Sequence, residues 1–575
     1  MSQDAAQLIP PTGLTEAAKP ARTFVHHARL ISGLTLVSRF LGVLRESLAA
    51  RYFGTGLVST AFTVAFTIPN LFRRLFGEGA LSAAFIPLYS QATKRQEKED
   101  AARFAAASVN LLVAILVGVT IVGELILWGI AGFWHLQADR LLTVKLTAIM
   151  LPYVLLVCGA AFLGAILQVH RRFGVIAAAP IILNAGLIGS TVLGAKIWDM
   201  KITAGQTAAI YFVSCGVLVA GALQVAMLLP SLRAIGFRFR WTSLWTPAVK
   251  RMLMMSAPVA IGAGVLQLSV AIDRGFSYLL AQSLDQHDQL ITHFSFFGHW
   301  VRYPMELGAA PRLYWAQLLY QFPLGVFAIA VATAIFPTLS ADALDNNRER
   351  FRQSLRRGIK LTLWEGLPAS VGLIMVAQPA VQLLFEYGRF KGNDTTWVAS
   401  SVRLYSIAIW AFSLQQILNR AYYALHDMTT PLVMAVVTLI VNLIVEVPLV
   451  WTGLGEAGMA AGTSASFIVQ AVLMLWLLQR KAGSLDLGQL RGFCIKLMIG
   501  TALMAAACWM VQKTPFYPDA GNHTRMAALL RLVILVGTGA IVYIGACSMM
   551  GIGSLEHLRP RKAKAAANGS LTTGN

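Results

Sequence analysis

The chain has 575 residues, of which 57% are hydrophobic and 13% charged, and its 47 Lys+Arg against 26 Asp+Glu give a formal charge of +21. An average soluble domain is about 25% charged, so a soluble globular protein is excluded. Such basicity would suit a nucleic-acid binder, but the positive residues fall in short pieces between apolar runs. Those runs are about 20 residues long, enough to cross a bilayer, so no nucleic-acid partner is expected.

Residues 1–27 are polar and the first apolar segment after them is rich in Arg, which makes them a tail and not a secretory signal. Apolar windows then predict about fourteen helices, at roughly 28–52, 57–76, 104–132, 141–169, 175–197, 206–230, 252–283, 312–340, 359–385, 397–425, 430–452, 457–479, 490–512 and 526–550. The reading is all-α: a polytopic membrane protein with no loop large enough for an independent domain.

The first span holds Ser38-Arg39-Phe40-Leu41-Gly42-Val43-Leu44-Arg45-Glu46. A charge at the bilayer centre costs about 2.5–3.5 kcal/mol even on insertion scales, so this span cannot face lipid throughout. Arg39 and Glu46, seven apart, share a face, and Arg45 shares another with Ser38 and Gly42. The second span ends Pro69-Asn70-Leu71-Phe72-Arg73-Arg74-Leu75-Phe76-Gly77-Glu78-Gly79. Arg74 and Glu78 have the spacing of a helical ion pair, which leaves Arg73 for another anion. A guanidinium is a planar fork matched to phosphate, so arginines converging within a membrane suit a phosphate-bearing, lipid-linked substrate.

The seventh span carries Gln267, Ser269, Asp273, Arg274 and Ser277 on one polar side. The loop after it, about 284–311, contains Asp285, His287, Asp288, His293 and His299, whose spacing is not that of a zinc site; it reads as a solvated outer loop, and no metal is expected. On the eleventh span Asn442 and Glu446 lie four apart, with Thr463 on the twelfth as a third oxygen. With Asp273 they could bind Na+ or H+, or form a self-contained interhelical hydrogen-bond group. Cys158, Cys215, Cys494, Cys508 and Cys547 all lie in apolar stretches without metal spacing and read as packing residues.

Lys and Arg concentrate in alternate connections: Lys94, Arg95, Lys98 and Arg103; Arg171 and Arg172; Arg233, Arg238 and Arg240; Arg348 to Lys360; Arg480 and Lys481; and the tail from Arg559 to Lys564. The positive-inside rule places these, with both termini, in the cytoplasm, which requires an even number of spans. The absence of a GxxxxGK[ST] loop argues against an ATP-driven pump.

The strings Ser38 to Glu46, Ala61-Phe62-Thr63-Val64-Ala65-Phe66 and Pro69 to Ala80 closely resemble the MurJ (MviN) family of lipid II flippases, in the multidrug/oligosaccharidyl-lipid/polysaccharide exporter superfamily. Gly164-Ala165-Ile166-Leu167, Ala179-Pro180 to Asn184, Gln321-Phe322-Pro323-Leu324-Gly325-Val326, Phe336-Pro337-Thr338-Leu339-Ser340, Tyr387-Gly388-Arg389-Phe390 and Tyr422 to Asp427 extend the resemblance over nearly the whole chain.

The resemblance implies two pseudo-symmetric lobes, 28–230 and 231–479, with helices 13 and 14 (480–550) lining a groove for the lipid tail, between a cytoplasmic tail at 1–27 and a basic one at 551–575. It implies a bacterial inner-membrane transporter, not an enzyme, that moves lipid II outward by alternating access. Membrane lipids and cell-wall synthesis proteins are the further expected partners. The diphosphate-binding set would be Arg39, Arg45, Glu46, Arg73 and Glu78. The sequence departs from the family at Gln317-Leu318 and Gln321, where an Asp-Arg pair and a Glu are typical, and at Thr60, where Asp is common. Either Arg274 supplies the missing charge, or the chain is a divergent paralogue exporting another lipid-linked glycan or a drug, or a non-transporting cell-wall scaffold.

Overall fold

The computed structural model describes residues 18–77, 80–94, 98–133, 136–285, 289–345, 347–483, 487–519 and 521–552. Almost every described residue outside short connections is helical, as the apolar periodicity requires. The helices are α1 (Ala18–Phe53), α2 (Leu57–Phe72), α3 (Ala80–Lys94), α4 (Lys98–Phe133), α5 (Ala138–Met150), α6 (Tyr153–Val169), α7 (Phe173–Ile197), α8 (Thr203–Ala234) and α9 (Pro247–Leu279). After a segment bearing strands β1 (Ser283–Leu284), β2 (Leu290–Ile291), β3 (His293–Phe296) and β4 (His299–Arg302) follow α10 (Ala309–Pro323), α11 (Ile329–Leu344), α12 (Arg348–Phe385), α13 (Gly392–Ser406) and α14 (Ile409–Ala424). The chain continues through α15 (Thr429–Leu449), α16 (Glu456–Ala482), α17 (Leu487–Val511) and α18 (Arg525–Met549).

All fourteen expected helices coincide with helical segments, but several are broken. The expected 141–169 is α5 plus α6, parted at Leu151-Pro152; 397–425 is α13 plus α14; 312–340 is α10 plus α11. The expected set omits α3, whose Pro87, Ser82, Ser90 and Gln91 keep it from reading as a span. Among the described residues, eight helices can cross a membrane by length and apolar character, or up to eleven if each of three bent pairs is one span. α1 falls short of that test because it carries Arg39, Arg45, Glu46 and Arg51, and α2 because it has only 16 residues. The protein is thus a multi-pass membrane protein, and fourteen crossings exceed what length and hydropathy alone count.

Among the described residues, three helices widen into π-helical turns, at Arg73–Gly77, Leu324–Ala328 and Val450–Leu454. Each begins within four residues of a proline inside the preceding helix: Pro69, Pro323 and Pro448. The ring removes one i→i−4 bond and crowds the carbonyl a turn earlier, and a wider turn relieves that crowding.

The chain forms two compact units. The first comprises the described residues within 1–53, 57–271 and 284–289; the second comprises those within 54–56, 272–283 and 290–575. In the first, small residues let α7 and α8 approach closely: a Cβ on Gly186 would lie 2.8 Å from Ala220 Cβ, and one on Gly216 would lie 2.7 Å from Ser190 Cβ. This is the small-residue packing by which helices associate in lipid, where no hydrophobic drive exists between them. Tyr153, Phe85, Phe162, Leu146 and Ile166 fill the core behind them. In the second unit α12 runs 38 residues and packs against α13, α14, α17 and α18, while Gly458 and Gly462 bring α16 onto the backbone of α15.

Candidate substrate and cation sites

In the first unit the later half of α1 packs on α7. Arg45 Nε donates to Glu46 Oε1 at 3.0 Å, its Nη2 donates to the same oxygen, and its Nη1 donates to Asn184 Oδ1 on α7 at 2.9 Å. Asn184 Nδ2 in turn donates to the Ser38 carbonyl at 3.0 Å. A carboxylate and an amide from two helices therefore hold the guanidinium plane in one orientation. Its side chain keeps 17% exposure and that of Glu46 10%. The seven-residue spacing does not unite Arg39 with Glu46: Arg39 is exposed, while Glu46 is buried beside Arg45.

Arg73 opens the π-helical turn after Pro69 and is half-buried, whereas Arg74 is exposed. Arg73 and Arg45 both act electrostatically on the phenol of Tyr153. That hydroxyl is buried and makes no hydrogen bond. Two arginines thus lie near one buried hydroxyl that has no hydrogen-bond partner. Tyr153 and Asn184 had no assigned role in the sequence reading; a tyrosine following Pro152 at a span break was the available signal for the first. Glu78 lies outside the described residues, and with it the expected Arg74–Glu78 pair.

In the second unit Arg274 is 6% exposed. Its Nη2 donates to Gln317 Oε1 at 2.6 Å and its Nη1 to the Ala310 carbonyl at 3.0 Å, and its guanidinium lies 5.2 Å from the Tyr314 ring centroid. Beside it on α9, Asp273 Oδ1 accepts from Asn442 Nδ2 at 3.0 Å, and the same amide donates to Glu446 Oε2 at 2.8 Å. Asn442 therefore joins two carboxylates that are far apart in sequence. Asn442 Oδ1 and Glu446 Oε1 are buried without a hydrogen-bond partner. Thr463 is buried too, but its hydroxyl donates to the Met459 carbonyl of its own helix at 3.1 Å, and Gly462 is what packs against Glu446. Two orphaned oxygens among two carboxylates and an amide suit a hard cation or a proton. Among the described residues no three His, Cys, Asp or Glu side chains gather into a metal site.

A further charged cluster was not anticipated. Arg312 Nε donates to Glu456 Oε1, and Arg312 Nη1 lies 3.5 Å from Asp394 Oδ1, which accepts from Thr55 Oγ1 at 2.7 Å. Arg312 and Glu456 side chains are 3% and 1% exposed. Neither the early position of Arg312 in α10 nor Glu456 at the first turn of α16 distinguishes them in sequence from ordinary interfacial charges.

Residues 49–517 match the family described as lipid II flippase MurJ. The chain belongs to the MurJ family. The probable lipid II flippase MurJ of Rhizobium meliloti (strain 1021) is 31% identical over 549 residues, 94% of this chain and 96% of that one. Lipid II flippase MurJ of Burkholderia cenocepacia is 30% identical over 493 residues, 83% and 87% of the two chains. Among solved structures, lipid II flippase MurJ in an inward closed conformation aligns with a TM-score of 0.70 at 23% identity, over 91% of this chain and 98% of that one. An inward-facing multidrug resistance MATE family transporter aligns at 0.59 and 15% identity, over 80% and 99%. These structural likenesses show the fold, which MurJ shares with the MATE transporters.

Proposed function

We propose that this protein is a lipid II flippase: it takes the undecaprenyl-diphosphate-linked peptidoglycan precursor from the cytoplasmic leaflet of the bacterial inner membrane and releases it in the outer leaflet by alternating access. The observation that carries the reading is the oriented guanidinium of Arg45, with Arg73 acting on the same buried Tyr153 hydroxyl, in a chain of the MurJ family. Arg45 and Arg73 bind the diphosphate through charge-assisted hydrogen bonds. Glu46 holds the fork in place, Arg39 attracts the anion from its exposed position on α1, and Glu78 belongs to the same set through the family resemblance. Flipping breaks and makes no covalent bond, so no nucleophile or general base is assigned.

The missing arginine at Leu318 has a physical counterpart. Gln317, standing where the family typically has Asp, holds Arg274 at 2.6 Å, so the positive charge moves from α10 to α9 while its polar neighbour stays on α10. This supports the reading that Arg274 replaces the family's third arginine. Asp273, Asn442 and Glu446, with Thr463 nearby, form the coupling site for Na+ or H+. Both termini are cytoplasmic, the two six-helix lobes span 28–230 and 231–479, and α17 and α18 form the groove for the lipid tail. Membrane lipids and cell-wall synthesis proteins are its further partners.

Depletion of the protein in its own cell tests the proposal. Lipid II is expected to accumulate on the inner leaflet while wall synthesis stops; normal wall synthesis without accumulation would overturn the assignment.

A further inference from the structure

The segment between α9 and α10, expected to be a solvated loop, is largely exposed and carries paired strands. β3 and β4 pair antiparallel with His293 opposite Arg302, Phe294 opposite Val301, Ser295 opposite Trp300 and Phe296 opposite His299, so Phe297-Gly298 is a two-residue turn. Both turn residues have positive φ, 47° and 82°. Such a turn favours Asn, Asp or Gly at its first position, and a bulky residue there is a backbone outlier. The sequence nevertheless places Phe297 at that point, 90% exposed, next to Phe296 at 58% and near Trp300 at 77%. Backbone strain that presents three large aromatic side chains outward is a feature to be explained by use.

The position of the hairpin says what covers it. Phe294, on the half-buried face, packs against Tyr303 with ring centroids 4.8 Å apart and lies 6.5 Å from the ring of Trp451. Trp451 lies at the end of the span Thr429–Leu454. On that span Val433, Ile440, Ile444, Val447 and Trp451 are exposed at helical three-, four- and seven-residue spacing and without a charge among them. A stripe of this kind faces hydrocarbon. The hairpin stem is therefore seated where a lipid-facing stripe reaches the end of its span, at the height of the membrane–water boundary. Aromatic side chains concentrate at that level because their amphipathic rings suit the headgroup region. His293, His299 and Arg302 are also exposed on the same two strands.

We infer that the β3–β4 hairpin is a membrane-surface anchor whose Phe296, Phe297 and Trp300 side chains insert into the headgroup region of the outer leaflet. It fixes the outer ends of α9 and α10 against the bilayer. This inference requires only that the chain spans the membrane, so it stands or falls separately from the identity of the cargo.

The test uses the full chain reconstituted in phosphatidylethanolamine/phosphatidylglycerol vesicles. Cys215 and Cys494, the two cysteines that are not buried, are replaced by Ser, and a nitroxide is attached at Phe297→Cys or, in a second protein, at Trp300→Cys. Lys201→Cys, on the exposed connection between α7 and α8, serves as the water-facing reference on the same side. Collision with oxygen, which partitions into lipid, is expected to exceed collision with a water-soluble nickel chelate at 297 and 300, the reverse of the order at 201. The same order as at 201 would overturn the inference, and so would protection from both relaxants, which would mean that protein covers the tip.

Discussion

Two arginine–glutamate pairs in this molecule are chemically alike and physically opposed. Arg45–Glu46 in the first unit is half-open, with side-chain exposures of 17% and 10%, whereas Arg312–Glu456 in the second is closed, at 3% and 1%. The first is adjacent in sequence and tied to another helix through Asn184; the second joins α10 to α16 and gathers Asp394 and Thr55. The closed pair is shielded from water and holds helices together, while the other still meets solvent. The Asp273–Asn442–Glu446 group stands between them: it is buried like the closed pair, and each leaves two buried polar atoms without partners, Asn442 Oδ1 and Glu446 Oε1 here and Arg312 Nη2 and Glu456 Oε2 there, but its two carboxylates share an amide where the closed pair has an arginine.

The comparison breaks if the closed pair proves dispensable for stability. Arg312→Ala leaves Glu456 buried without its counter-charge and is expected to destabilise the protein by about 3–5 kcal/mol, while joint replacement of both residues by apolar side chains of similar volume recovers most of the loss. Thermal unfolding in detergent measures both, and a single variant as stable as the wild type would contradict the structural role. For the intermediate group, sodium at a hundredfold excess over its dissociation constant would stabilise the wild type by about 2.7 kcal/mol. Glu446→Gln is expected to abolish that response. A wild type indifferent to sodium would overturn sodium binding at this group.

For the half-open pair, Arg45→Lys keeps the charge beside Glu46 but loses the planar fork. Stability should change by at most about 1 kcal/mol, while lipid II flipping falls roughly tenfold to a hundredfold, the equivalent of losing about 1.5–3 kcal/mol of charged hydrogen bonding. Equal loss of stability and transport would place this pair with the closed one.

The smallest effect belongs to a third ion pair, outside the spans. Asp427 lies between α14 and α15; burial pushes its carboxyl up, but hydrogen bonds from Lys481 and Thr430 outweigh that and hold it down at about 2. A carboxylate whose folded value is depressed stabilises fully above its unfolded value near 4, and loses that contribution as pH falls through the folded one. The stability gap between wild type and Asp427→Asn should therefore persist from neutral pH to about pH 4 and vanish only towards pH 2. A gap already closed at pH 4 would show that Lys481 does not hold the carboxylate.

Much of the functional reading was legible in the chain because a membrane makes ionisable residues conspicuous. Arg45, Glu46, Arg73, Asp273, Asn442 and Glu446 stand out as polar groups in runs of apolar residues, and the helical period put Asn442 and Glu446 on one face before any fold was known. Arg312, Asp394 and Glu456 did not stand out, because each lies at a span end, where a charge normally reaches water. Only packing shows that those of Arg312 and Glu456 do not, and that Asp394 lies beside them. Tyr153 and Asn184 escaped for a related reason: a tyrosine or asparagine in a span is unremarked until its neighbours are known.

The sequence by itself determined that the chain is a helical membrane protein and which charges require an explanation, since each follows from the free energy of transferring a side chain out of water. The tertiary structure alone decided which of those charges are closed pairs and which keep an open face, that Arg274 is held by Gln317, and that the segment after α9 is an aromatic hairpin seated on Trp451. These depend on contacts between residues far apart in the chain, and burial is a property of such contacts that no local pattern records.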